Sequence, residues 1–208
     1  MITVNDVSLT INKHKILTEV SIQAVQGEAV GLVGGNGSGK TMLMKCICGF
    51  HTAFTGEITV LGKRIGKDVE FPERTGFIIE NPGFMPYLSG YENLKILAGI
   101  HKKIGKEEIC AYMDLVGLHP EDKKKVRKYS LGMKQRLGLA QALMENPDVL
   151  ILDEPFNGLD KGMLEKMRDV LLAEKEKGKT ILLASHNEKD ISYLCDRTYE
   201  IDAGRILA

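Results

Sequence analysis

The segment "AVGLVGGNGSGKTMLMKCICGF", Ala29–Phe50, decides the fold. It opens on an apolar strand, "AVGLV", passes through "GGNGSGKT" at Gly34–Thr41, and continues into an apolar helix. The central octet fits G-x-x-x-x-G-K-[ST], and strand, glycine loop and helix in that order are the context of a phosphate-binding loop. Gly34, Gly35, Gly37 and Gly39 let backbone N–H groups turn inward beside Asn36 and Ser38, and the helix N-terminus adds a positive dipole. Lys40 is placed to bridge the β- and γ-phosphates, and the Thr41 hydroxyl to ligate Mg²⁺. A bare glycine turn with a stray lysine is the competing reading, and it would need neither the strand nor the helix.

Moving outward, "VLILDEP", Val149–Pro155, supplies the complementary acids. A run apolar throughout reads as a strand buried on both faces. It ends in Asp153, where a carboxylate can hold a water of the Mg²⁺ shell. Glu154 follows and emerges on a different side, which makes it the candidate general base for polarising an attacking water. An acidic pair after a strand can also be a helix cap, but Pro155 and Gly158 interpose a loop first. His186, in "ILLASHNEKDI", stands just past another apolar strand. A lone histidine is more often structural, yet at a strand end in a phosphate-loop protein it is a candidate γ-phosphate contact. "NEKD" slightly resembles the Asn-Lys-x-Asp of GTPases, but its lysine is displaced, and it reads as a helix start.

The rest of the chain frames these motifs. Strand-type runs fall at Ile2–Leu9, Val20–Val25, Ala29–Val33, Glu57–Val60, Phe77–Ile79, Val149–Leu152, Thr180–Ala184 and Thr198–Ile201. Those near the N-terminus alternate polar with apolar, as antiparallel edge hairpins do. Ser89 and Glu92 make an S-x-x-E capping box opening "YENLKILAGI", and Ile109, Met113 and Val116, then Met133, Leu137, Ala140 and Met144, keep helical spacing. Strands thus gather at both ends and helices between about 85 and 146. The expectation is an α/β core, 1–84 and 147–208, interrupted by a helical lobe at about 85–146. A length of 208 residues suits one domain with such an insertion.

Composition narrows the function. Lys plus Arg and Asp plus Glu both number 28, so no overall field draws the chain to nucleic acid or membrane. The longest apolar runs are strand-sized, and "MITVNDVSLT" lacks the basic-then-apolar pattern of a signal peptide. Cys46, Cys48, Cys110 and Cys195 show neither a disulfide framework nor zinc spacing, which favours the reducing cytoplasm. "EDKKKVRK", Glu121–Lys128, reads as a solvated loop.

"YSLGMKQRLGLAQAL", Tyr129–Leu143, decides the class. Together with the glycine loop and "LDEP", it resembles the signature segment of ATP-binding cassette (ABC) proteins, over essentially the whole chain. The family form is Leu-Ser-Gly-Gly-Gln; Ser130 and Gly132 match, while Tyr129, Leu131 and Met133 depart. The resemblance implies a P-loop NTPase (RecA-like) core with an N-terminal antiparallel β subdomain and an inserted α-helical subdomain. It implies ATP and Mg²⁺ as ligands and two cassettes paired head to tail. Ser130, capping a helix whose free N–H groups can bind anion, and Gly132 would then meet the γ-phosphate held by the other subunit. Asp160, in "NGLD", would touch the opposite subunit. The implied function is the ATP-hydrolysing subunit of a membrane transporter, peripheral on the inner face of the cell membrane, with a separate permease. The dimer would be of like or unlike ATPase subunits.

The same resemblance places Glu80, in "GFIIENPGF", where the family usually has glutamine, at the hinge between core and helical lobe and close to Mg²⁺. A carboxylate is a hard ligand suited to Mg²⁺. It also repels the γ-phosphate, which a neutral amide does not. Ligand, liability and bystander are all open. "IIENPGF" looks like the ATPases of bacterial exporters for bacitracin and lantibiotic peptides, so the cargo class is antimicrobial peptide or drug. Where the family often stacks an aromatic ring on adenine, counting back from "ILTEVSI" gives Ile11, with His14 as a substitute, which leaves the choice between ATP and GTP open. A soluble ABC protein acting on nucleic acid or ribosomes is the alternative, but those carry tandem cassettes or a long coiled coil. A plain phosphate-loop kinase or GTPase leaves "YSLGMKQR" unexplained.

Overall fold

The computed structural model describes residues 1–207. β1 (Ile2–Ile11) and β2 (His14–Ala24) form the expected antiparallel hairpin. Asn12 and Lys13 turn it with φ of 48° and 68°, the doubly positive backbone of a type I′ turn. β1 buries Ile2, Val4, Val7 and Leu9, and its alternation skips at Asp6, where the register shifts and φ is 47°. This bulge keeps both halves of the strand facing the core. β3 (Ala29–Val33) leads through the glycine loop into α1 (Lys40–Ile47). β4 (Thr55–Val60) returns to pair with β1, and the short β5 (Lys63–Arg64) completes a four-stranded antiparallel sheet ordered β2-β1-β4-β5.

After β6 (Thr75–Ile78) come α2 (Gly90–His101), α3 (Lys106–Leu115), a 3-10 turn at Val126–Lys128 and α4 (Leu131–Leu143). Ser89 and Glu92 form the predicted capping box: the Glu92 carboxylate accepts from the Ser89 N–H at 2.6 Å and the Ser89 hydroxyl from the Glu92 N–H at 3.2 Å. Leu94, Met113 and Leu137, one from each helix, meet in a common buried cluster. In the basic run most side chains are exposed, while Val126 is buried and Lys125 pairs with Glu92 at 3.2 Å.

The chain then alternates β7 (Val149–Asp153), α5 (Lys161–Glu176), β8 (Thr180–Ala184), α6 (Glu188–Leu194), β9 (Arg197–Asp202) and β10 (Arg205–Ile206). With β3 and β6 these make a six-stranded sheet ordered β10-β9-β3-β8-β7-β6, parallel except for β10. Period-two geometry splits each central strand between two cores. Leu150, Leu152, Ile181 and Leu183 face a cluster shared with α5, α6 and the three inserted helices. Val149, Ile151, Leu182 and Ala184 face the other, shared with α1 and the antiparallel sheet. Both faces are covered, as a parallel sheet requires. The fold is therefore the expected α/β P-loop architecture.

β9 and the turn into β10 also support the glycine loop. The Gly204 N–H donates to the Ser38 carbonyl, and the Thr18 N–H of β2 donates to the Gly204 carbonyl, each at 2.8 Å.

Candidate nucleotide site

Parallel α/β sheets bind ligands beyond the carboxyl ends of their strands, and there this chain gathers its chemistry. β3 runs into the glycine loop, β6 leads to Glu80, β7 ends in Asp153, and β8 delivers Ser185–Asn187. A cleft of about 280 Å³ is lined by Ile16, Asn36, Gly37, Ser38, Gly39, Lys40, Thr41, Met42, Lys45, Glu80, Asp153 and Glu154. Gly34 has φ of 148°, and a Cβ there would lie 2.1 Å from the Ile201 carbonyl oxygen, so only glycine fits. The Lys40 side chain folds back into the loop and is buried, its ammonium donating to the Gly34 and Gly35 carbonyls at 2.7 and 2.9 Å. A positive charge is thus fixed at the centre of the loop, beside the N-terminus of α1.

The Thr41 hydroxyl donates to Asp153 Oδ2 at 2.7 Å, joining the first turn of α1 to the end of β7 across 112 positions of sequence. Two hard oxygen donors therefore already touch. Glu154 comes next, with φ of 49°. Its N–H donates to the Ala184 carbonyl at 2.9 Å, and its own carbonyl accepts from Gln135 Nε2 of α4 at 3.1 Å. Its Oε2 lies 2.8 Å from His186 Nδ1, which leaves Oε1 for another partner. The backbone around His186 is held in turn: Ser185 donates to Asp190 at 2.8 Å, the Asn187 N–H donates to Ser185 Oγ at 3.1 Å, and the buried Asp190 pairs with Arg168 of α5.

Glu80 has φ of 55°, and its Oε1 accepts from Lys45 Nζ at 2.8 Å. Both residues line the cleft. Ile11 and His14, paired at the tip of the first hairpin, do not; the apolar side chains at the cleft are Ile16 and Met42. Counting from the motif found the right hairpin, but the residue of it that lines the cleft is Ile16 of β2.

Ser130, Gly132 and Asp160 are not among the cleft residues. Ser130 Oγ accepts from the Met133 N–H at 3.2 Å and caps α4, and Asp160 Oδ1 accepts from the Met163 N–H at 3.0 Å and caps α5. A Cβ on Gly132 would lie 2.3 Å from the Gly158 carbonyl oxygen, so the first turn of α4 and the loop before α5 touch backbone to backbone. A larger cleft of about 600 Å³, lined by Met1, Arg74, Asp148, Lys179 and Thr180 among others, lies at the opposite ends of the strands and holds none of the glycine loop. Cys46, on the inner face of α1, is buried and its thiol is pushed up to about 12 by burial, which makes it a packing group rather than a nucleophile.

Lys45, Gln135 and Ile16 escape a reading of the sequence. Gln135 falls inside the segment Tyr129–Leu143, but nothing in the sequence shows that it reaches the Glu154 carbonyl, and no motif marks Ile16 or Lys45, although Lys45 lies four residues after Thr41, the spacing that puts both on one helix face.

Comparison with known proteins follows the same lines. The family model described as ABC transporter matches residues 17–157. The uncharacterized ABC transporter ATP-binding protein YybJ of Bacillus subtilis (strain 168) is 42% identical over 206 residues, 99% of this chain and 94% of its own length. The bacitracin transport ATP-binding protein BcrA of Bacillus licheniformis is 39% identical over 212 residues, 100% of this chain and 68% of that protein. The chain spans 65% of another Bacillus subtilis relative, the uncharacterized ABC transporter ATP-binding protein YdbJ. Among solved structures, an ATP-binding subunit of an ABC transporter matches with TM-score 0.90 at 28% identity, over 100% of this chain and 88% of that one. A dimeric cassette in a post-hydrolysis state, bound to ADP and Pi, matches with TM-score 0.87 at 22% identity, over 100% of this chain and 97% of its own, a likeness of fold. Glycine loop, paired acids and family match agree, and the chain belongs to the ABC transporter ATP-binding family.

Proposed function

We propose that this ABC ATPase subunit binds ATP in the 280 Å³ cleft and hydrolyses it between two cassettes, with a separate membrane permease as the machine it drives. The observation that carries the reading is the Thr41–Asp153 contact, which joins the phosphate loop to the acid at the end of β7 inside one cleft. The N–H groups of the glycine loop and of the first turn of α1 hold phosphate oxygens, and Lys40 holds charge at the β/γ position.

The donor set fits Mg²⁺. Thr41 and Asp153 are hard oxygen ligands in contact, and Glu80 offers a further carboxylate at the same cleft. When bound, Mg²⁺ neutralises charge on the phosphate oxygens. Glu154 is the general base: His186 holds one carboxylate oxygen, and the other accepts a proton from the attacking water. His186 orients Glu154 and is the candidate γ-phosphate contact.

Ser130, Gly132 and Asp160 form a joined surface outside the cleft, and we assign them to the nucleotide and loop of an opposing cassette. That cassette is a second copy or a related chain. The core is taken as 1–84 and 147–208 and the helical lobe as about 85–146. No helix among the described residues is long and apolar enough to cross a membrane. We assign the membrane-crossing part to a separate permease and place this chain at its cytoplasmic face. The BcrA likeness makes a peptide antibiotic the cargo class to test first. Ile16 offers the base dispersion contact without a π-face, which extends the proposal to GTP. The balance of 28 basic and 28 acidic residues supports no nucleic-acid role.

The test is hydrolysis and co-purification. The purified chain should hydrolyse Mg-ATP, Glu154→Gln should still bind ATP but lose about a hundredfold or more in turnover, and the wild type should co-purify with an integral membrane protein. Wild-type turnover in Glu154→Gln, or recovery with ribosomes instead of a membrane protein, would overturn the reading.

A further inference from the structure

The cleft carries three carboxylates, Asp153, Glu154 and Glu80, and must admit a polyphosphate. Two of them are engaged by groups that the mechanism already uses: Thr41 donates to Asp153, and His186 contacts Glu154. Glu80 is different. Its side chain is 59% exposed and it lines the same space, so its charge would act on an incoming terminal phosphate through solvent, modestly and with a dependence on salt. Its partner is Lys45, 24% exposed, whose ammonium is 2.8 Å from Glu80 Oε1.

Lys45 reaches that place for two reasons. It stands one helical turn after Thr41 and shares its face of α1. It also lies in the last turn of a helix whose C-terminal dipole favours a cation. Lys40, by contrast, is engaged with the loop carbonyls, so Lys45 is the second and separate cation of the cleft.

We propose that Lys45 is a charge-compensating residue of the nucleotide site, whose ion pair with Glu80 gives the wall beside the terminal phosphate the net charge of a neutral amide. The pair lets a carboxylate stand at this position without expelling the nucleotide, while leaving Glu80 Oε2 free to face a cation. Lys45 acts through Glu80 and is a positioning residue, not a catalytic one. The inference rests on the reading of the cleft as the ATP site.

A four-protein cycle tests it: wild type, Lys45→Met, Glu80→Gln and the double variant. The readout is ATP and ADP affinity by calorimetry in EDTA at low and high salt, with thermal melts to establish that each protein is folded. For an exposed pair the effect is at most about fivefold. Lys45→Met should weaken ATP by about that factor at low salt, weaken ADP less, and lose most of the difference at high salt. Glu80→Gln alone should tighten ATP by a similar factor, the double variant should return to wild-type affinity because its wall is neutral again, and Lys45→Arg should behave as wild type. A double variant that binds ATP as weakly as Lys45→Met would make Lys45 a phosphate contact independent of Glu80 and overturn the proposal, as would an unchanged affinity in Lys45→Met. Failure of the folded wild type to bind ATP at all would be a different result, overturning the nucleotide site itself.

Discussion

Two glutamates at the cleft hold left-handed backbones, Glu80 at φ 55° and Glu154 at φ 49°, a conformation that costs on the order of 1–3 kcal/mol for such residues. For Glu154 the surroundings enforce it, through the bond to the Ala184 carbonyl and the Gln135 amide on its own carbonyl. Gln135→Leu removes that amide at nearly constant volume. We expect turnover to fall by about tenfold, on the order of 1.4 kcal/mol, with ATP affinity retained; steady-state kinetics set against equilibrium binding would show the split. Lys40→Ala should be more severe, because it removes the buried charge held by the glycine loop: ATPase activity should drop at least about a hundredfold and ATP binding should weaken with it. Near wild-type activity in that variant would remove Lys40 from the site. Lys40, Thr41, Asp153 and Glu154 are legible in sequence because each stands at a fixed offset from a glycine or a strand end. Gln135 and Lys45 are not, because what matters about them is a partner 19 or 35 positions away that only the packing supplies.

Between elements, α5 and α6 are joined by Arg168 and Asp190, the latter only 2% exposed and also bonded to Ser185. Asp190→Ala leaves a guanidinium nearly buried without its counter-charge, and we expect a loss of about 3–5 kcal/mol in urea unfolding, together with a weaker hold on the His186 loop. The start of α2 makes a pH prediction. The Ser89 N–H and hydroxyl and the Lys125 ammonium hold the Glu92 carboxyl down at about 2, against its ordinary 4.5. A depressed carboxyl stabilises the fold fully above its unfolded value and loses that contribution as pH falls through its folded one. The melting temperature should therefore carry a Glu92-dependent decline between about pH 4.5 and about pH 2, and Glu92→Gln should remove that part of the slope. The capping box and central strands were readable because periodicity and cap chemistry are local. β5 and β10, two residues each, and the polar first half of β2 were not, since they exist through pairing with distant strands. The run taken as Phe77–Ile79 pairs from Thr75 to Ile78, its start set by β7 rather than by its own hydrophobicity.

At the scale of the whole molecule, the α/β class followed from motif order, whereas the sheet order β10-β9-β3-β8-β7-β6 has no local signal. Nor does the sequence show that Gly132 and Gly158 touch, which places the caps of α4 and α5 on one surface. If that surface meets a second cassette, Glu154→Gln with Mg-ATP should double the mass seen by light scattering, and Ser130→Arg should abolish the doubling. A persistent monomer of the first variant would weigh against the paired arrangement. One feature of the fold also bears on how the molecule is made. The glycine loop begins at residue 34, yet Gly34 packs against the Ile201 carbonyl and Ser38 is bonded by Gly204. On a ribosome the loop leaves the exit tunnel well before the strand that steadies it, an interval on the order of ten seconds or more. A nascent chain therefore displays its nucleotide fingerprint long before the strand that steadies the loop is available to it.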